Sequence, residues 1–267
     1  MIKVAHIIPT DFLPQTTQIT NFPPYQIQLL LAHQVLKDKK YLEYYIKRKE
    51  LGDYIILDNS AFEFGEALST DLLEKAINLT LPNEFVLPDV LFDKNKTIEK
   101  SIKFANNLNR KSIKYMAVVQ GNTLKDWLAC YEYFSQQDYV FSIGLGAIYS
   151  PKTIFNNKET NNLVSGREFL INQLKQLKLL NSKKPHHLLG LGDSGHLEIK
   201  RLAKYKWIRS CDSNTAYINA KYGIELVPGK EYLKIKEKIN LDDKFNESYV
   251  ELMTNNMQVL NEAGCRN

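Results

Sequence analysis

The sequence predicts an α/β fold, a single-domain (β/α)8 TIM-type barrel, and three observations carry that expectation. Short apolar, β-branched runs recur along the chain. Helical stretches with capping signals separate them. The chain has 267 residues, an ordinary length for one such barrel. Runs this short and this apolar suit strands covered on both faces. Strand–helix alternation over this length implies parallel pairing with right-handed crossovers, and seven or eight units favour a closed barrel over an open doubly wound sheet.

The strands are expected at Ile2–Ile8, Tyr54–Leu57, Glu84–Leu87, Lys114–Val119, Tyr139–Ile143, His187–Leu191 and Trp207–Arg209, with Ile224–Val227 a weaker eighth. Pro23-Pro24 opens a helix over Tyr25–Leu36, because proline fits a first helical turn. Ser69 with Asp71 begins a helix through Asn78, and Asn95 caps one through Leu108. Thr123–Asp126 and Ser165–Glu168 resemble capping boxes before Trp127–Phe134 and Phe169–Leu180, and Ser194 can cap His196–Lys204. The Asn-rich stretch at 149–164 reads as a polar insertion, and a C-terminal extension from about 230 ends in a helix over Tyr249–Leu260.

Composition bounds the function. Apolar residues make up 44% and charged ones 24%, with 15 Tyr and 12 Phe, which suits a packed globular chain. The net charge of +5 permits a polyanionic partner without requiring one. Cys130, Cys211 and Cys265 are far apart and form no CxxC pair, which argues against a disulfide framework and a cysteine-rich zinc site. No signal-peptide core and no membrane-length apolar run is present, so the expected setting is cytoplasmic.

In a parallel barrel the loops after the strands build the active site. Asp58-Asn59-Ser60-Ala61-Phe62 follows the Tyr54 run, Pro88-Asp89 the Glu84 run, and Gln120-Gly121 the Lys114 run. Gly144-Leu145-Gly146 follows Ile143, Gly192-Asp193-Ser194 follows Leu191, and Ser210-Cys211-Asp212 follows Arg209. Each has a bland reading. Asp58 can close an Asx turn, Asp89 can enter a helix, and Asp193 and Asp212 can cap helices. The glycines can be turn residues, and His186-His187 sits at a strand start, away from the chemistry. Their convergence at one barrel end is what points to a site. Carboxylates that accept from N–H groups, beside an amide that both donates and accepts, suit the edge of a purine such as guanine.

In this order the motifs resemble the tRNA-guanine transglycosylase superfamily over Tyr54 to Asn214, including its branch that places 7-deazaguanines in DNA, some of it virus-borne. The resemblance implies base exchange, with guanine replaced by a 7-deazaguanine. It implies Asp212 as nucleophile and Asp58 as general acid/base. It further implies Asp89, Gln120, Gly144, Leu145, Gly146 and Phe62 around the base, with no cofactor. The family's clustered Cys and His zinc ligands are missing after Asp212, so no metal is expected. The implied partner is nucleic acid, DNA ahead of tRNA, with Lys94, Lys96, Arg167 and Arg209 as phosphate contacts. A homodimer or a helper protein is compatible, and no membrane is involved. Two alternatives stay open. One is a nucleoside or phosphoester hydrolase on the same barrel, whose metal-dependent form would use Asp58, Asp89 and Asp193. The other is a non-catalytic partner subunit.

Overall fold

The computed structural model describes residues 1–14, 26–108, 110, 112–147, 163–192, 194–235 and 237–265. Eight parallel strands form a nearly closed barrel: β1 (Lys3–His6), β2 (Ile27–Leu31), β3 (Tyr54–Asp58), β4 (Glu84–Val86), β5 (Lys114–Val118), β6 (Val140–Gly146), β7 (His186–Leu189) and β8 (Ile208–Ser213). Neighbours pair in the order β1-β8-β7-β6-β5-β4-β3-β2. Helices cover the outside: α1 (Ala32–Lys37), α2 (Lys39–Glu50), α3 (Ala61–Phe64), α4 (Thr70–Thr80), α5 (Lys94–Leu108), α6 (Leu124–Gln136), α7 (Leu163–Gln176), α8 (Gly195–Leu202), α9 (Thr215–Lys221) and α10 (Val250–Ala263).

The two-residue strand period sorts the core into two layers. Ala5, Ile7, Ile27, Leu29, Leu31, Ile56, Val86, Met116 and Val118 fill the lumen, and Leu241 packs on them from above. Their strand neighbours, such as Val4, Leu30, Leu57, Phe85, Ala117 and Cys211, face the helices. Leu241 belongs to the long connection between α9 and α10, and its carbonyl accepts from Thr10 N at 3.0 Å, which holds that connection over the mouth.

Two expected elements differ. The Tyr25–Leu36 segment is a strand and then a short helix, because Ile27, Leu29 and Leu31 alternate into the lumen. This segment supplies the remaining barrel strand in place of Ile224–Val227. The latter is not in the sheet: Asn256 of α10 takes up its backbone, accepting from Leu226 N at 2.7 Å and donating to Ile224 O at 3.0 Å. Capping is mixed. Thr123 accepts from Asp126 N at 3.1 Å as expected. Asp93, rather than Asn95, accepts from Lys96 N at 3.0 Å at the start of α5. Ser165 lies within α7, not at its cap. Ser194 has a left-handed φ of 49° and makes no side-chain cap. Its hydroxyl instead donates to Tyr232 O at 3.0 Å and accepts from Tyr232 N at 2.6 Å. Residues 149–162 of the expected insertion, and Asp193, lie outside the described residues.

The N-terminal end of the barrel is held by one buried carboxylate. Glu84 is fully enclosed and takes a bidentate pair from Arg209 at 2.9 and 3.0 Å. It also accepts from Tyr54 OH at 2.7 Å and from the Ser142 hydroxyl. These partners, led by Arg209, outweigh burial and keep the Glu84 carboxyl below its ordinary range. Removing one member of such a buried pair strands the other charge. Arg209→Met is therefore expected to lower stability by about 3–5 kcal/mol. In urea unfolding, Glu84→Gln combined with Arg209→Met should recover part of that loss. An Arg209→Met protein as stable as the parent would show that the pair is dispensable.

Candidate active site

Asp58 ends β3 with its side chain turned into the mouth, on the same strand face as Ile56. Its Oδ2 accepts from Ser60 N at 2.8 Å, so the Asx turn is present. Ser60 holds a left-handed φ of 65°, uncommon for a residue with a Cβ. His33 secures it: Ser60 Oγ accepts from His33 N at 3.2 Å and lies 2.8 Å from His33 Nδ1. The strained turn brings Glu63 of α3 beside Asp58. Glu63 Oε2 is buried and has no hydrogen-bond partner among the described residues. Burial pushes the Asp58 carboxyl well above the ordinary range, and the charges of Glu63, Asp89 and Asp212 push the same way. Glu63 is raised as well, by burial and by Asp212, with Lys238 opposing.

Asp212 ends β8 across the mouth. Its Oδ1 accepts from Gly190 N at 2.9 Å and lies 3.1 Å from His187 Nε2. His187 Nδ1 is 2.8 Å from Ser210 Oγ. The Nε2–H tautomer satisfies both contacts: Nε2 donates to Asp212, and the Ser210 hydroxyl donates to Nδ1. His187 thus points into the lumen and touches the site, contrary to the expectation from its place near a strand start. Gly190 can aim its N–H at Asp212 because it adopts a left-handed φ of 64°. The turn is clamped from behind. Arg167 donates to Leu189 O at 3.2 Å and Gly190 O at 2.9 Å, while Glu198 accepts from Gly192 N at 3.0 Å. Arg167 and Glu198 are themselves an ion pair at 3.2 Å, both buried.

Asp89 and Gln120 lie deeper. Asp89 accepts from Asn59 Nδ2 at 2.7 Å and from Gln120 Nε2 at 2.6 Å, one bond on each oxygen. Gln120 Oε1 accepts from Phe92 N at 3.0 Å. Asn59 also donates to Leu87 O at 2.7 Å and accepts from Ala61 N at 2.8 Å. The trio braces the turn that carries Asp58, Ser60 and Glu63, and Asp89 and Gln120 are both nearly inaccessible to solvent. Burial raises the Asp89 carboxyl to about 6, partly offset by Asn59 and Gln120.

The remaining expected residues divide. Gly144 forms part of the lumen floor, where a Cβ would come within 2.8 Å of the Leu189 side chain. Gly146 is the last residue of β6. Leu145 packs outward among the helices. Phe62 is 54% exposed at the rim, with the Lys238 ammonium 5.8 Å from its ring centre. The four expected phosphate contacts are otherwise engaged. Lys94 pairs with Asp126 at 3.0 Å and Lys96 with Asp93 at 3.5 Å. Arg167 is buried in the clamp, and Arg209 sits at the opposite barrel end on Glu84. Among the described residues no group of three or more His, Cys, Asp or Glu could hold a metal ion. No described helix is long and apolar enough to cross a membrane.

Sequence reasoning missed Glu63, His187 and Asn59. Glu63 lies on the short helix that follows the Asp58 strand end, and the left-handed Ser60 corner makes them neighbours. His187 could be found by parity: it shares the inward phase of Leu189.

No family model matches the sequence, and no curated protein matches it. Among solved structures, the chain is similar to a citrate lyase beta subunit from M. tuberculosis, complexed with oxaloacetate and magnesium. That match has 10% identity, covers 79% of this chain and 90% of that one, and has a TM-score of 0.46. A second is the protein CitE from Mycobacterium tuberculosis, in complex with magnesium and acetate. It has 9% identity, covers 79% of this chain and 85% of that one, and has a TM-score of 0.43. The expected transglycosylase resemblance is corrected: the two solved structures named above are of the citrate lyase type. With it go the glycosyltransferase reaction, the 7-deazaguanine base and the nucleic-acid partner.

The buried Asp89 has a stability consequence with a definite sign. Its folded carboxyl binds a proton up to about 6, whereas the unfolded value is 3.8. Between those values the folded state holds the extra proton, so this group's contribution is full below pH 3.8 and is lost as pH rises through 6. The span amounts to about 3 kcal/mol. Asp89→Asn should remove this dependence: the stability of the variant relative to the parent should rise between pH 4 and 7 in urea titrations. A constant difference across that range would contradict the assignment.

Proposed function

We propose that the C-terminal mouth of the barrel is an acid–base active site for a small substrate that presents hydrogen-bond donors or a positive charge. The observation that carries this reading is the pairing of unlike carboxyls across one opening. Burial pushes Asp58 and Glu63 toward their protonated forms, with Glu63 adding to the shift of Asp58 and Asp212 to both, while Asp212 Oδ1 accepts from Gly190 N and lies against His187 across from them. A carboxyl group pushed toward its protonated form can serve as an acid beside a second, hydrogen-bonded carboxyl group.

In this reading Asp58 delivers a proton to the substrate and Asp212 removes one. Burial, with the neighbouring carboxyl of Glu63, favours the protonated form of Asp58. His187, Gly190 and Ser210 fix the Asp212 carboxylate, and Asn59, Asp89 and Gln120 fix the turn below Asp58. Phe62 and Lys238 form the rim, where Lys238 can turn aside to admit a cation or stay to neutralise Glu63. Proton removal from carbon coupled to proton delivery at a neighbouring heteroatom is the chemistry of eliminations and enolisations, so a lyase or an isomerase is the enzyme type that fits.

The test uses solvent exchange. The protein is incubated in D2O with a panel of small amino- and amide-bearing carbonyl compounds, and deuterium incorporation is read by mass spectrometry. Incorporation by the parent protein should fall by about 10²–10⁴-fold in Asp58→Asn and in Asp212→Asn. Incorporation that is unaffected in both variants, or absent for every compound that shifts the melting temperature, would sink the proposal.

A further inference from the structure

The opposite end of the barrel holds a second concavity, unconnected with the acid–base mouth. A cleft of about 580 Å³ opens at the N-terminal ends of the strands, within the size range of small-molecule sites. Its lining includes Lys3, Lys183, Lys184, Lys206 and Arg209, together with the chain's first residue, Met1. No acidic side chain lines it among the described residues. Two carboxylates lie near it: Glu84, enclosed behind Arg209 and spent on Arg209, Tyr54 and Ser142, and Asp138, whose charge acts on Lys184.

Three features make this more than a scatter of surface lysines. The basic groups surround a concave, partly apolar wall formed by Ile27, Tyr54 and Trp207, and a low-dielectric wall focuses a field of one sign. Some of the cations are anchored. Lys184 donates to Gln137 O at 2.9 Å and also to Val140 O, and the Arg209 guanidinium lies 5.3 Å from the Tyr54 ring centre. Lys114 adds a further cation beside the opening, 4.3 Å from the Phe141 ring centre and 5.6 Å from that of Tyr54. The two ends of the barrel thus have opposite characters, carboxylates above and cations below.

We infer that this cleft binds a small polyanion, a polyphosphorylated or polycarboxylated molecule, at a site separate from the acid–base mouth. The charges of such a ligand would meet Lys183 and Lys206 at the rim and Lys3 deeper in, while Arg209 stays committed to Glu84.

Isothermal titration calorimetry of the full chain with inorganic tripolyphosphate, and separately with propane-1,2,3-tricarboxylate, tests the site and tells the two anion classes apart. The double variant Lys183→Glu/Lys206→Glu changes two exposed side chains, and its unliganded circular dichroism should match the parent's. Saturable one-site binding of either anion is expected, with a dissociation constant raised at least about tenfold in the double variant. The control Lys125→Glu, on an exposed residue of α6 at the other barrel end, should leave that constant unchanged. Absence of binding by both anions overturns the inference. So does binding that survives in the double variant, or that weakens equally in Lys125→Glu.

Discussion

A parallel barrel turns every second residue of each strand into a closed lumen, and a polar side chain placed there must be satisfied inside it. This chain puts carboxylates at both ends of the lumen and treats them in opposite ways. At the N-terminal end Glu84 is surrounded by donors, a guanidinium, a phenol and a hydroxyl, and its charge is fully compensated. At the C-terminal end Asp58 and Glu63 face other carboxylates, and the Ser60 amide and Lys238 only partly compensate them. The first arrangement secures a fold. The second favours protonated carboxyls at the C-terminal end of the lumen, where Asp58 and Asp212 keep partial exposure, which is what an acid catalyst needs.

The residues around that opening are arranged by interactions one step removed from it. Asn59, Asp89 and Gln120 make a buried chain of hydrogen bonds under the β3 turn, and His33 holds Ser60 in its left-handed conformation. On the far side, Arg167 and Glu198 clamp the turn whose Gly190 N–H meets Asp212. Several side chains that a reader of the sequence would assign to ligand contact therefore act through the backbone. Their polarity reflects the cost of leaving a buried amide or carboxylate without a partner.

The barrel and the end of it that carries the site were legible in the sequence because both follow from short-range pattern. β-Branched runs marked β1 and β3 to β8, and polar residues just past them marked the mouth. β2 was not legible, because Gln28-Leu29-Leu30-Leu31 has helix-forming composition and only the lumen decides its phase. Ile224–Val227 has strand composition, but Asn256 takes its backbone groups and keeps it out of the sheet. Within the site, Asp58 and Asp212 were visible from their positions. Their surroundings were not, because the Asp58–Glu63 and Asp212–His187 contacts depend on a strained corner and on strand register. The charged residues misled most. Arg167 and Arg209 read as surface cations, whereas burial beside Glu198 and Glu84 gives them structural roles.

The account stands on one property, a proton held on Asp58 in the resting protein. Carboxyl-carbon NMR of protein labelled at aspartate, with Asp58→Asn used to assign the signal, measures it directly. The account predicts that Asp58 titrates well above the ordinary carboxylate range, and that Glu63→Gln moves its midpoint downward by removing a neighbouring negative charge. A midpoint near the ordinary 3.8, unmoved by Glu63→Gln, would contradict it.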